Sequence, residues 1–288
     1  MDRANKLYPG LYVLGAISSI GKTTFVLQMA TQIAATGNNV LYFTYEQSKY
    51  ELISKGLAYE GATCSVANGQ DLKHNPSALD IRKMKSLDDI RCIKESYLKK
   101  TESLYIIQCD FDTSVENIEE ICYSFMDSHP DDMPPVVFID YLQVIGGNTS
   151  DSTKTHMDKI VKKLKQMTKD PAHAITVILI SSFNRSNYLT PVSFESFKES
   201  GDIEYTTDVV WGLQLDVMND DIFTQREKIT EKRKKVSEAK SADPRKLELV
   251  VLKNRYGATG KSFYFDYYPN YDYYAVLDKD TSLQLLKI

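Results

Sequence analysis

Gly21, Lys22, Thr23 and Thr24 stand together near the start of the chain, in the stretch GAISSIGKTT (residues 15–24). A glycine followed by a lysine and a hydroxyl residue, opening a helix after an apolar strand, is a pattern that cradles phosphates. Consecutive backbone N–H groups and the helix N-terminus then point at the anion. Ser18, Ser19, Ile20 and Gly21 would form the loop, with Thr24 next on the helix. Lys22 would reach the β and γ phosphates of a nucleotide, and the Thr23 hydroxyl would face Mg²⁺. The pattern departs at its first corner. The spacing G-x-x-x-x-G-K-[ST] puts Ala16 where a glycine is usual, and Gly15 stands one place early. Ala16 fits if its φ is negative, with Gly15 beside it supplying flexibility.

Four further stretches carry chemistry. VVFID ends an apolar run in Asp140, where a carboxylate can hold Mg²⁺ through water. LYFTYEQS ends another near Glu46, a carboxylate able to orient and deprotonate an attacking water. ILISSFNRSN ends a third in polar residues, Ser182 among them, suited to sensing a terminal phosphate. LKNRYGATG puts Lys253 and Arg255 two apart at a strand end, so alternation aims both the same way, as two solvated charges at a hairpin or as a pair that could reach a nucleotide on a neighbouring subunit.

Those residues need a scaffold that delivers several strand ends to one place. Apolar runs at Leu11–Gly15, Val40–Thr44, Leu104–Gln108, Pro135–Asp140 and Ile175–Ser181 alternate with helical patterns at about Gly21–Thr36, Ser48–Tyr59, Val115–Asp127 and Lys154–Thr168. This predicts an α/β fold with a mainly parallel sheet covered by helices. Three more runs, Val209–Leu215, Leu247–Lys253 and Ser262–Tyr268, lie close together, the last two joined by a hairpin turn at Gly257–Gly260. A charged helical insertion, 220–240, separates the first two. The whole chain, 1–288, reads as one domain.

Composition excludes some classes. A net charge of −4 advertises neither nucleic acid nor membrane globally, so any basic surface must be local. No apolar run is long enough to span a bilayer. Cys64, Cys92, Cys109 and Cys122 lack metal-ligand spacing, which fits reduced thiols in a cytoplasmic protein.

The order GAISSIGKTT, FTYEQS, FIDYLQVI, SSFNRS, FKESGDIEYTTDVV, LKNRYGATG resembles the RecA-fold C-terminal ATPase domain of DnaB-type replicative helicases. The resemblance covers nearly the whole chain. It implies a RecA-like P-loop NTPase that binds and hydrolyses ATP with Mg²⁺. Lys22 and Thr23 then act on phosphate and Mg²⁺, Glu46 is the catalytic base and Asp140 the second Mg²⁺ residue. Lys253 and Arg255 match the basic fingers that act on a neighbour's nucleotide. Lys198, Glu199 and Gly201 match the loop that holds single-stranded DNA. A ring or filament of identical chains, hexameric if the family pattern holds, follows from the same resemblance.

The departures bear on coupling. Ser182 replaces a usual glutamine that links γ-phosphate to the DNA loops, and is shorter by two carbons. Lys198 replaces a usual arginine and loses bidentate phosphate geometry. The segment after Asn184 is short. The resemblance is to the ATPase domain standing alone, without the N-terminal collar domain, so a separate loader or collar-like partner is expected. Two alternatives stand beside the helicase reading: a DNA-bound ATPase switch or loader that does not translocate, and an interaction protein that binds nucleotide without turnover. The stretch 225–240, rich in lysine and arginine, reads as a solvated helix or a nucleic-acid surface. The tyrosine-rich end, FYFDYYPNYDYYAV, reads as an alternating hairpin rather than a base-stacking platform.

Overall fold

The parallel sheet expected from the sequence is built from six strands rather than five. They are β1 (Gly10–Ala16), β2 (Val40–Thr44), β3 (Leu104–Gln108), β4 (Val136–Asp140), β5 (Thr176–Ser182) and β6 (Val209–Leu215). The last of these pairs parallel with β1, so it belongs to the parallel block and not to the C-terminal hairpins. β7 (Arg245–Asn254), β8 (Ser262–Tyr268) and β9 (Tyr273–Leu277) continue the sheet antiparallel. The order is β3-β2-β4-β5-β1-β6-β7-β8-β9. The computed structural model describes residues 7–277 apart from 85, 147–151, 172, 198–200 and 226.

Helices cover the sheet: α1 (Lys22–Ala34), α2 (Lys49–Ala67), α3 (Ala78–Lys83), α4 (Arg91–Lys100), α5 (Val115–Ser128), α6 (Thr153–Met167), α7 (Gly201–Thr206) and α8 (Ile229–Ser241). Several start where the sequence places a cap. Ser48 and Glu51 form a reciprocal capping box, as do Ser114 and Asn117. α2 runs eight residues beyond the expected end at Tyr59 and stops at Asn68-Gly69, where Gly69 takes a φ of 66°. Gly61, just past Tyr59, hides the continuation of this helix in the sequence. Gly56 is there for packing: a Cβ would sit 2.5 Å from the Tyr97 ring.

Strand register decides where the chemistry falls. Ala16 lies opposite Ser182 across β1 and β5, and Thr44 lies opposite Asp140 across β2 and β4. All four mark the C-terminal ends of parallel strands, the end at which such sheets place their ligands. A continuous apolar core fixes that register, with Leu11, Leu14, Tyr42, Phe43 and Phe138 almost wholly buried. No helix among the described residues is long and apolar enough to cross a membrane. All four cysteines are free.

Candidate nucleotide site

The chain leaves β1 at Ala16, turns through residues 17–21 and enters α1 at Lys22. Ser19 (φ 64°) and Gly21 (φ 103°) supply the left-handed turns that curl the loop. Ala16 is fully buried and its φ is not positive, so the alanine sits as an ordinary last strand residue. Gly15 serves packing, which corrects the expectation that it adds flexibility. It is a strand residue, and a Cβ there would lie 2.3 Å from the rings of both Phe183 and Phe197.

Lys22 Nζ donates to the carbonyls of Ala16 (3.2 Å) and Ile17 (2.9 Å), so the lysine is folded over its own loop. Burial lowers its pKa to about 8, opposed by the charges of Asp140 and Glu46. Asp140 is 3% exposed, and burial raises its carboxyl to about 6. The nearby Thr23 hydroxyl and a hydrogen bond from Tyr42 Oη (3.3 Å) pull the other way. Thr23 and Asp140 therefore lie together as two oxygen ligands, one of them a buried carboxylate. That donor set fits Mg²⁺, which binds through one or two protein oxygens and keeps several waters. Glu46 is exposed just past the end of β2, close enough to influence both Lys22 and Asp140.

The remaining candidates distribute as follows. Ser182 ends β5, where its N–H donates to Gln143 Oε1 (3.2 Å), and Gln143 Nε2 donates to Ser181 Oγ (3.0 Å). Ile20 is fully buried. The Thr24 hydroxyl turns away from the loop and donates to Asp272 Oδ1 (2.8 Å), which also pairs with Lys55 (2.6 Å). Ser18 Oγ accepts from Tyr188 Oη (3.3 Å). Lys253 and Arg255 lie at the other end of the sheet, because β7 runs antiparallel to β6 and Lys253 pairs with Val210. Lys253 Nζ donates to the Glu204 carbonyl, and Arg255 Nη2 donates to that of Tyr205 (2.9 Å), so both side chains do aim the same way. Lys198 and Glu199 lie outside the described residues, and Gly201 begins α7.

Sequence reasoning missed the residues that back the loop. Lys240, Arg245 and Tyr274 all donate to its carbonyls from more than 200 positions away. Of the 220–240 segment expected to be helical, the part from Ile229 onward is α8 and a short 3-10 turn covers Asp221–Phe223, and it is more than a solvated face. Lys232 is buried, its Nζ bonded to the Phe223 (3.4 Å) and Gln225 carbonyls, and Lys240 reaches the loop.

Comparison with known proteins gives the same picture. The family model of the DnaB-like helicase C-terminal domain matches residues 6–274. The replicative DNA helicase DnaB of Geobacillus stearothermophilus is 26% identical over 257 residues, covering 87% of this chain and 49% of that protein. The DnaB of Helicobacter pylori strain J99 is 25% identical over 273 residues, with 87% and 52% covered. The chain thus spans about half the length of these curated relatives. Among solved structures, a DnaB-like replicative helicase, described with its interactions with primase, superposes with a TM-score of 0.72 at 20% identity, covering 94% of this chain and 58% of that one. A second solved structure, described as an ATPase domain, superposes with a TM-score of 0.70 at 19% identity, covering 94% and 85%. At these identities the superpositions speak for the RecA-like fold.

Proposed function

The chain belongs to the family of DnaB-like helicase C-terminal domains, and from that premise we propose that it is an ATP-hydrolysing motor domain acting on single-stranded DNA in replication. One observation carries the reading. The ends of β1, β2 and β4 bring Lys22, Thr23, Glu46 and Asp140 to one place, while the basic pair Lys253 and Arg255 sits at the opposite end of the same sheet. A site so divided is completed by a second copy of the chain.

Each residue then has a task. The backbone of residues 18–24 receives the phosphates, and the Lys22 ammonium neutralises charge at the β and γ positions. Thr23 and Asp140 would hold Mg²⁺, whose charge draws electron density from the phosphoryl oxygens. Glu46 orients the attacking water and takes its proton. Arg255, with Lys253, meets the developing charge on a neighbour's γ-phosphate. Ser182, level with Ala16, senses that phosphate. Lys198, Glu199 and Gly201 hold the DNA backbone, and the active assembly is a homo-oligomeric ring or filament.

The test is ATP turnover by the wild-type chain, with and without single-stranded DNA, over a range of protein concentrations. Turnover should rise more steeply than linearly with protein, and DNA should raise it further. Turnover that is strictly proportional to protein and indifferent to DNA would overturn the shared-site motor. No turnover at any concentration would leave a nucleotide-binding module.

A further inference from the structure

Four successive carbonyls of the nucleotide loop are held by three side-chain donors from the C-terminal part of the chain, the Tyr274 hydroxyl shared between the last two. Lys240 Nζ donates to the Ser18 carbonyl (3.0 Å) and Arg245 Nη1 to that of Ser19 (3.0 Å). Tyr274 Oη lies 3.1 Å from the carbonyls of both Ile20 and Gly21. In a trans peptide the C=O of one residue and the N–H of the next point in opposite directions. Holding the carbonyls of residues 18–21 on one side therefore turns the N–H groups of Ser19, Ile20, Gly21 and Lys22 to the other. Among the described residues none of these four N–H groups has a protein acceptor. A row of unpaired donors of that kind is a nest for an anion.

The backing is built, not incidental. Tyr274 is 2% exposed, stacks on Tyr267 at 4.3 Å and meets Phe25 edge-on at 5.2 Å. A Cβ on Gly21 would lie 2.4 Å from its hydroxyl, so glycine is needed there both for φ and for this approach. The Arg245 guanidinium lies 5.7 Å from the Tyr267 ring, and its buried Nε has no partner. The tyrosine-rich end and the charged insertion thus converge behind one loop.

We propose that Tyr274, Arg245 and Lys240 are positioning residues that pre-set the N–H groups of Ser19–Lys22 for the phosphates, so that donors from the C-terminal part of the chain, acting with the loop's own left-handed Ser19 and Gly21, fix its shape. This inference rests on the reading that the loop binds nucleotide. Without the Tyr274 hydroxyl, the buried Ile20 carbonyl loses its partner and the peptide is free to rotate, taking the Gly21 N–H out of line.

The test uses the full chain and two readouts: equilibrium binding of ADP and of a non-hydrolysable ATP analogue, and thermal unfolding without nucleotide. Tyr274→Phe keeps the ring packing and removes only the hydroxyl. Nucleotide Kd should rise by about tenfold, with the unliganded Tm changed by no more than about 3 °C. Arg245→Met, at a half-buried position whose stem methionine can fill, should raise Kd several-fold with Tm changed by no more than about 3 °C, and it carries the test if Tyr274→Phe does not fold. A Kd within twofold of wild type in the folded variant overturns the proposal, and so does a large fall in Tm with Kd unmoved, the mark of a purely structural role. Wild type that binds no nucleotide overturns the nucleotide reading itself, whereas binding by wild type with variants unaffected overturns this inference alone.

Discussion

The two ends of the sheet hold their basic side chains in different ways. At the loop end, Lys22 is buried against its own carbonyls and Tyr274 is buried against those that follow. At the other end, Arg255 is 47% exposed. It touches Asp208 (3.4 Å) and the Tyr205 carbonyl in the last turn of α7, beside the Glu204 carbonyl that Lys253 occupies. Asp208 is buried, and its other oxygen, Oδ2, is held by the Leu11 N–H (2.8 Å) and by Lys165 of α6, so its charge keeps a cation when Arg255 leaves. Helix C-terminal carbonyls attract cations through the helix dipole, but weakly at an exposed position. A half-exposed ion pair of this kind contributes no more than about 1 kcal/mol. A finger on a transition-state phosphate is worth about 10³-fold or more in rate, or about 4 kcal/mol. On the proposed shared site the magnitudes favour exchange: Arg255 would give up its resting contacts when a neighbour's nucleotide is presented. The loop end would then be fixed in advance and the finger end parked.

The largest expected effect tests that division directly. From Leu11, level with Asp208 and Arg255, to Ala16 is five strand residues, or roughly 16 Å at about 3.3 Å per residue. Arg255 therefore cannot serve its own loop without unpicking β7. Arg255→Ala should bind ATP as wild type does and hydrolyse it about 10³-fold more slowly. Lys22→Ala should be inactive for the opposite reason. Mixed together, the two should regain part of the activity, because some interfaces pair an intact loop with an intact finger. A mixture that stays dead while demonstrably co-assembled would refute the trans assignment.

A smaller effect sharpens the same comparison from the loop end. Glu46→Gln keeps size and hydrogen bonding but removes the base. Turnover should fall by about 10²-fold with nucleotide affinity near wild type. Glu46 and Lys22 occupy the same half of the site, so mixing Glu46→Gln with Lys22→Ala should restore nothing. Recovery in that mixture would place Glu46 with the finger end, and undiminished turnover by Glu46→Gln alone would make the residue structural.

The loop end was also the more legible in sequence. Strands such as Val209–Leu215 and Ser262–Tyr268 show their full extent in their apolar and aromatic runs. The spacing of Gly21, Lys22 and Thr23 is a local signal that survives without tertiary context. What stayed hidden is long-range. Arg245, two residues before a patterned strand segment, reads as a surface charge until β7 is laid beside β6 and its first residue arrives next to the loop. Tyr274 is one tyrosine among nineteen. Its partners are main-chain carbonyls, which leave no trace in residue types. Gly15 misleads for the reverse reason, since its lack of a side chain answers to Phe183 and Phe197 and not to the turn.

The smallest effect concerns the altered first corner. If the loop's shape is imposed from behind, restoring the missing glycine should matter little. Ala16 is the last residue of β1, paired with Ser182 on one side and Leu213 on the other, and its carbonyl accepts from Lys22. Its backbone is already of a kind that alanine adopts without strain. Ala16→Gly removes one buried methyl and adds freedom to the unfolded chain, so it should cost stability slightly. Its effect on nucleotide binding should stay below about 1 kcal/mol, which is less than about fivefold in Kd. Binding isotherms for wild type and Ala16→Gly, measured beside Tyr274→Phe, place the two on one scale. A gain of tenfold or more from the glycine would mean that the alanine strains the loop, and that the C-terminal donors compensate for a defect instead of setting the shape.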